Sequence, residues 1–164
     1  MVRGQRIARV LHFIGLALFL GSIFGHIALQ AIPGSTGESE TILFLRTATV
    51  VTTRLLTVPG LVLLVITGVW MTVRSHGGFF RHRWLTLHQT IAGLILLNAF
   101  LILRPLGLQL LAAAQELQGG ALDLSTFQHL ARREMMFGPV NLVLTLATMA
   151  VAVFRPSLRR GPSQ

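Results

Sequence analysis

Four long stretches of the chain are almost wholly apolar, and polar or turn-forming residues separate them. They cover residues 10–32, 48–73, 84–104 and 135–154. A transmembrane helix needs about 20 predominantly apolar residues to cross the hydrocarbon core, and each stretch meets that length. The pattern therefore predicts an all-α fold, an integral membrane four-helix bundle, as a single transmembrane domain over residues 1–164.

Turn-forming residues close each apolar stretch, and the connection before the last stretch has a helical pattern of its own. The breaks lie at Pro33-Gly34-Ser35, His76-Gly77-Gly78, Arg104-Pro105 and Arg155-Pro156. Between residues 109 and 130, an Ala- and Leu-rich segment precedes Gly119-Gly120 and then Asp123-Leu124-Ser125. We interpret this connection as a helix that leaves the membrane, a turn, and the capped start of a long fourth helix.

All 14 basic residues are arginine, and their placement predicts the topology. The segments before span one, between spans two and three, and after span four contain Arg and no Asp or Glu, whereas the other two connections hold all five acidic residues. By the positive-inside rule both termini are cytoplasmic. The net charge of +9 does not indicate nucleic-acid binding, because the Arg residues lie where spans meet phosphate headgroups. We expect a multi-pass protein of the bacterial inner membrane that contacts the lipid bilayer.

The first stretch has a second interpretation. An Arg-bearing start, an apolar stretch and Leu29-Gln30-Ala31 imitate the three-part pattern of a cleaved signal peptide. The apolar region is long for a signal peptide, so a membrane span is the favoured interpretation.

Three histidines lie inside the predicted spans: His12 and His26 in span one and His88 in span three. Ionisable residues are costly within a bilayer and by default mark function. His12 and His26 are 14 residues apart, so they lie about 40° apart around the helix and about 21 Å apart along it. Both therefore point toward the same partner surface, on which three further residues lie: Gly15, Phe19 and Ser22.

Small residues lie close to that surface as well. Gly21 and Gly25 form a small-xxx-small pair. Such pairs permit either close helix packing or the approach of a flat ligand to the backbone.

The 14-residue spacing resembles the His pairs of dihaem cytochromes b, in which each His ligates one of two stacked haems. His88 lies four residues after Trp84 and, because span three runs back outward, at a depth similar to that of His12. Two neutral imidazoles at matched depth bind haem iron axially, an arrangement suited to single-electron transfer. We predict a haem b with His12 and His88 as its ligands. The alternative for each His is an interhelical hydrogen bond or a small water-filled cavity.

A second haem requires a partner for His26 in the outer leaflet. His129 lies about 10 Å outside the hydrocarbon, so it matches His26 only if the helix is tilted or re-entrant. Met135 or Met136 is nearer in depth, and Met is a known axial ligand, although a Met in an apolar span usually serves packing. The sequence therefore predicts one haem and leaves the second open.

Three arginines are candidates to pair with haem propionates by charge-assisted hydrogen bonds. Arg54 lies at the outer start of span two, and Arg81 and Arg83 lie at the inner side. Topology and headgroup contact explain the same residues without any cofactor.

A metal site in the second loop is an alternative, since His76 and His82 with Met71 suit copper or zinc. The same spacing in a Gly-rich loop fits a solvated basic loop. The chain has no cysteine, which excludes disulfides, thiolate metal sites and Cys-attached haem. It shows no Ser/His/Asp set, paired carboxylates or phosphate loop. Four polar residues inside spans are expected to form interhelical hydrogen bonds: Asn98, Asn141, Thr145 and Thr148.

Several short motifs together resemble a broad group of small bacterial membrane proteins. They are Leu11-His12-Phe13-Ile14-Gly15, Thr53-Arg54-Leu55-Leu56-Thr57-Val58-Pro59-Gly60, Thr67-Gly68-Val69-Trp70 and Arg83-Trp84-Leu85. The group includes CopD-type copper-resistance proteins, HemJ-type haem-binding protoporphyrinogen oxidases, and four-span predicted integral membrane proteins without an assigned function. The chain is most similar to the last of these, whose fourth span also ends in an Arg/Lys-Pro step like Arg155-Pro156.

This resemblance implies four helices and a haem b held through the early His that corresponds to His12. HemJ-type proteins carry a Lys four residues after the Trp that opens span three, whereas this chain has His88 there and no Lys at all. The departure argues against porphyrinogen oxidation and leaves haem ligation open.

The sequence therefore favours a b-type cytochrome for single-electron transfer, or the cytochrome b-like subunit or anchor of a redox complex, over a stand-alone enzyme. Other redox subunits or quinone are the partners that this function implies. The alternatives are a copper- or metal-handling membrane protein and a structural subunit without a cofactor.

Overall fold

The computed structural model describes residues 2–32, 37–74 and 83–155, and these are almost entirely helical. The α-helices are α1 (Val2–Gln30), α2 (Ser39–Thr52), α3 (Val58–Arg74), α4 (Arg83–Leu97), α5 (Arg104–Gln118) and α6 (Leu124–Phe154). Two short π-helical segments join them in pairs, π1 (Thr53–Thr57) between α2 and α3 and π2 (Asn98–Leu103) between α4 and α5.

Within the described ranges, four helices are long and apolar enough to cross a membrane: Gly4–Gln30, Ser39–Arg74, Arg83–Gln118 and Leu124–Phe154. The predicted all-α bundle of four spans is thereby confirmed. The second and third helices have 36 residues each, which corresponds to about 54 Å at 1.5 Å per residue. The hydrocarbon core is only about 30 Å thick, so both helices extend well beyond it.

Two prolines explain the π-helical segments. A proline has no N–H, so the carbonyl four residues before it loses its helical donor. For Pro59 and Pro105 those carbonyls lie inside π1 and π2, where the backbone changes to wider turns. The Val58 amide reaches the carbonyl of Thr53 and the Arg104 amide that of Ala99, each five residues back. Pro105, which the sequence pattern places at the end of a span, therefore lies inside a continuous helix.

The four long helices form two antiparallel pairs. α1 packs along α3, and α4 packs along α6. Gly15 and Gly60 let α1 and α3 cross closely, because a Cβ added at Gly60 would lie 2.9 Å from the carbonyl oxygen of Gly15. α1 is therefore an integral part of the bundle.

The pairs meet in two apolar clusters. The mid-bundle cluster has Phe19, Leu61 and Ile95 at its centre, with Leu144 packed against it. The outer cluster joins α2, α5 and the start of α6 through six buried residues: Ile42, Leu106, Leu110, Ala113, Ala114 and Phe127. We call this end of the bundle the outer end, because the positive-inside rule places it away from the cytoplasm, and the opposite end the basic end.

The outer end confirms the interpretation of the connection before span four. α5 continues to Gln118, and Gly120 adopts a positive φ of 73° in the turn that follows. Asp123 then caps α6 by accepting a hydrogen bond from the Thr126 amide.

Two tryptophans meet arginines at the basic end. The Arg74 guanidinium lies 4.8 Å from the Trp70 ring centroid, and the Arg155 guanidinium lies 5.4 Å from that of Trp84. Trp and Arg together are typical of a membrane–water interface.

Candidate functional site

The depths of the three span histidines are measured from the mid-bundle cluster. His12 precedes Phe19 by seven residues in α1, and His88 precedes Ile95 by seven residues in α4. Both lie about 10 Å from the cluster toward the basic end. His26 follows Phe19 by seven residues and lies equally far toward the outer end.

Thr67 of α3 holds the His12 ring. Its hydroxyl oxygen lies 2.8 Å from Nδ1 of His12, and the same hydroxyl donates its proton to the carbonyl of Leu63. The hydroxyl has only one proton, so when Leu63 receives it, Nδ1 of His12 is the donor in the first bond. Gly68 leaves room beside the ring, because a Cβ there would lie 3.6 Å from Cε1 of His12. In this tautomer Nε2 of His12 carries the lone pair of the ring.

The ring of His88 is held in the same tautomer by a different partner. Its Nδ1 lies 3.2 Å from the backbone carbonyl of Thr148 in α6. A carbonyl only accepts, so Nδ1 carries the proton and Nε2 is again unprotonated. A hydrogen bond from the other ring nitrogen is the usual means by which a protein orients a metal-ligating imidazole.

The two imidazoles lie on different helix pairs. Their charges are close enough to interact, whereas the backbones of α1 and α4 do not pack along each other. Beside them, the amide of Gln89 donates to the hydroxyl of Thr72 at 3.2 Å and links α4 to α3. The residues predicted as a ligand pair thus come from different helix pairs and meet at one depth.

His26 has a different arrangement. Its Nε2 lies 3.4 Å from the Thr53 hydroxyl oxygen, and Thr53 donates its own proton to the carbonyl of Thr49. The Nε2 atom is therefore the proton donor, and Nδ1 keeps the lone pair. Glu134 of α6 lies within electrostatic range of this ring. The second haem at His26 stays a prediction, and Nε2 is engaged there rather than free.

The candidate propionate partners lie at two levels. Arg54 is exposed next to Thr53, so it lies at the depth of His26 and about 20 Å from Thr67. Arg83 is exposed at the start of α4 and shares the basic end with His88. Arg81 lies outside the described residues. Arg9 was not among the predicted propionate partners. It is exposed and lies three residues before His12 on the same side of α1.

The remaining candidate ligands do not gather into one site. His129, Met135 and Met136 are exposed on α6. His76 and His82 lie outside the described residues, and Met71 is half-buried at the end of α3. Among residues 2–32, 37–74 and 83–155, no three His, Asp or Glu side chains come together as a site for a metal ion.

The sequence contains a pattern that predicts the hydrogen-bond partners of His12 and His26. Thr53, Thr57, Gly60 and Thr67 recur at helical spacing and form one polar or small stripe on span two. This stripe faces the His12–His26 surface of α1, where Thr57 donates to Ser22 at 2.9 Å between the two histidine contacts. Matching the two stripes would have located Thr67 and Thr53.

The family with which the chain agrees is described as predicted integral membrane protein (DUF2269), and the match covers residues 6–156. The chain belongs to this DUF2269 family. No curated protein and no solved structure matches it. Membership of DUF2269 confirms a multi-pass integral membrane protein and agrees with the family resemblance of the motifs. The wider grouping of this DUF2269 chain with CopD- and HemJ-type proteins stays a prediction.

Proposed function

We propose that the protein binds one haem b between α1 and α4, with His12 and His88 as the two axial ligands, and that it transfers single electrons within the membrane. The observation that carries this proposal is the shared hydrogen bonding of the two rings. Each Nδ1 atom is hydrogen-bonded within its own helix pair. When Nδ1 carries the proton of a neutral imidazole, Nε2 has the lone pair with which the ring ligates iron.

The donor set fits haem better than a bare metal ion. Haem supplies four equatorial nitrogens and needs only two protein ligands, whereas no cluster of three or more ligating side chains exists in the described ranges. The apolar layer of Phe19, Leu61 and Ile95 lies just above the histidines and shields the site from the outer half of the bundle.

Haem bound through two imidazoles supplies a one-electron couple. The residues of the chain would orient the rings through Thr67 and Thr148 and neutralise the propionates through Arg9 and Arg83 at the basic end. A haem held by both His12 and His88 would favour electron transfer over chemistry at the iron, as expected of a subunit or anchor of a redox complex in the bacterial inner membrane.

The test is a reduced-minus-oxidised absorption spectrum of the protein purified from haem-replete cells, together with a pyridine haemochrome assay. We expect a sharp low-spin b-type band from about one haem per chain. His12→Ala and His88→Ala should lose it, whereas the control His129→Ala, on the exposed surface of α6, should keep it. A haem-free wild-type protein would overturn the proposal.

His26→Ala decides the number of haems. With one haem, this variant keeps both the band and the wild-type haem content. A halved haem content would instead place a second haem at the outer end. Size-exclusion chromatography of each variant separates loss of haem from loss of fold.

A further inference from the structure

A cavity of about 200 Å³ lies at the outer end, away from the histidine pair, and it is only partly enclosed. The end of α1, the middle of α2 and the first half of α6 line it. Its charged lining residues are both arginines, Arg46 of α2 and Arg132 of α6. None of the described lining residues is acidic, and Glu134 is not in this wall. The wall is therefore positively charged and favours an anion.

The protein compensates only part of this positive charge. Arg46 pairs with Glu134, and both side chains are 13% exposed. Arg132 is exposed, and within the described ranges no carboxylate lies at ion-pair distance from it. Two guanidinium groups and one carboxylate leave a net charge of +1 at the cavity. This charge is equal and opposite to that of a single phosphodiester group.

Both arginines lie at the depth of lipid phosphates. The mid-bundle cluster is close to the middle of all four apolar stretches, so it marks the centre of the bilayer. Arg132 precedes Leu144 of this cluster by 12 residues, and Arg46 precedes Leu61 by 15. Their backbones are therefore about 18 Å and about 22 Å from the centre. The hydrocarbon ends about 15 Å from the centre and the headgroup layer about 20 to 22 Å from it, so the guanidinium groups reach the phosphates.

Apolar residues line the cavity on the side of the hydrocarbon. Leu29 follows Phe19 by ten residues, and Met135 precedes Leu144 by nine. Both therefore lie about 14 to 15 Å from the bilayer centre, where the hydrocarbon ends. A phospholipid has its acyl chains below this level and its phosphate above it. The wall thus changes from apolar to cationic at the depth where a phospholipid changes from apolar to anionic, whereas a soluble anion would use only the arginines.

We propose that the cavity binds an anionic phospholipid of the outer leaflet, with its phosphodiester between Arg132 and Arg46. Glu134 engages Nη1 of Arg46, and the other N–H groups of that guanidinium remain as donors. A zwitterionic lipid brings an ammonium group that Arg132 repels, so the site prefers a lipid of negative net charge. The bound lipid links α2 to α6 at the outer end, and its binding does not require haem.

The test uses purified protein in nanodiscs of phosphatidylethanolamine that contain a trace of phosphatidylglycerol with a diazirine near the ester of one acyl chain. After photolysis, mass spectrometry measures the labelling of the peptides that contain Leu29 and Met135. Arg132→Gln removes a charge from the cavity, and Arg133→Gln removes the same charge from an exposed neighbour that does not line it. We expect about fivefold less labelling for Arg132→Gln. Arg133→Gln and the charge-conserving Arg132→Lys should be close to the wild type.

Competition identifies the ligand, and unlabelled phosphatidylglycerol should displace the probe whereas added phosphatidylethanolamine should not. Three outcomes would overturn the proposal: equal competition by the two lipids, equal labelling of Arg132→Gln and Arg133→Gln, or displacement by glycerophosphate, which would indicate a site for soluble phosphates. Labelling of peptides from the basic end should be the same in every variant and reports an intact fold. His12→Ala should bind the probe like the wild type, so a failure of the haem proposal leaves this test intact.

Discussion

Nδ1 of His12 lies 2.8 Å from the hydroxyl oxygen of Thr67, and that hydroxyl in turn donates to the carbonyl of Leu63. The chain of two hydrogen bonds sets both the tautomer and the direction of the His12 ring. Thr67 is buried, so water does not replace it. Thr67 therefore belongs to the proposed site as the residue that orients the ligand.

Replacing Thr67 by Val keeps the shape of the side chain and removes the acceptor of the Nδ1–H bond. We expect haem affinity to fall by about 10- to 100-fold, as is usual when the partner of a metal-ligating His is lost. Titration of apo-protein with haemin measures the affinity. Thr67→Ser should restore most of it, and Thr90→Val, at an exposed position of α4, should have no effect. An unchanged affinity of Thr67→Val would contradict the role of Thr67.

Replacing Gly60 by Ala should destabilise the bundle. A Cβ at Gly60 would lie 2.8 Å from the backbone nitrogen of Phe19 and 2.9 Å from the carbonyl oxygen of Gly15. The backbones of α1 and α3 must then separate, at a cost of about 1 to 3 kcal/mol in the free energy of unfolding. The control is Gly21→Ala, where no atom lies within 4 Å, and which should be neutral or slightly stabilising. Unfolding in mixed micelles measures both, and equal stabilities would refute the close crossing.

Removing one member of the Arg46–Glu134 ion pair should cost more than removing both. Glu134→Gln leaves the largely buried Arg46 charge without its counter-ion, so we expect a loss of about 3 kcal/mol. The double variant Arg46→Gln, Glu134→Gln buries no charge and should lose less than either single variant. A double-mutant cycle on the free energy of unfolding gives the coupling, and simple additivity would show that the pair contributes nothing. Arg132→Gln, at an exposed position, serves as the control.

The cap of α6 should weaken in acid. Side-chain hydrogen bonds from Ser125 and Thr126 lower the pKa of Asp123 to about 2, from 3.8. Because the folded pKa is the lower one, the stabilisation is fully present above about pH 4 and disappears as the pH falls toward 2. Hydrogen exchange of the first turns of α6 should accelerate over that range. Asp123→Asn should remove this pH dependence, and an unchanged acid response in that variant would assign it to another group.

The sequence was sufficient for the features that hydropathy and local capping determine. Four spans, the continuation of a helix beyond span three and the cap at Asp123 were all predicted, because each depends on residues close together in the chain. The matched depth of His12 and His88 was also predicted, since it follows from counting residues along two antiparallel helices.

The partner surface of α1 was predicted, and Phe19 and Ser22 on it are buried, but the residues that form the close helix crossing were not. Gly21 and Gly25 have the spacing of a packing motif, yet no atom lies within 4 Å of a Cβ built at either. The close crossing uses Gly15 and Gly60 instead, which lie on different helices and have no common sequence pattern. The helical residues before residue 48 were missed as well; Ile42 and Leu43 among them pack in the outer cluster with α5.

The two π-helical segments share one depth in the bundle. π1 and π2 lie about 8 to 9 Å on the outer side of Leu61 and Ile95, respectively, so the two long helices have their irregular turns at one level. Above that level α2 and α5 are tied together by the outer cluster, and below it α3 and α4 continue toward the basic end. Each of the two long helices is thus interrupted at the same level, and the outer cluster joins the two helices on the outer side of it. The irregular turns of both helices therefore lie at one depth, between the outer cluster and the histidine pair.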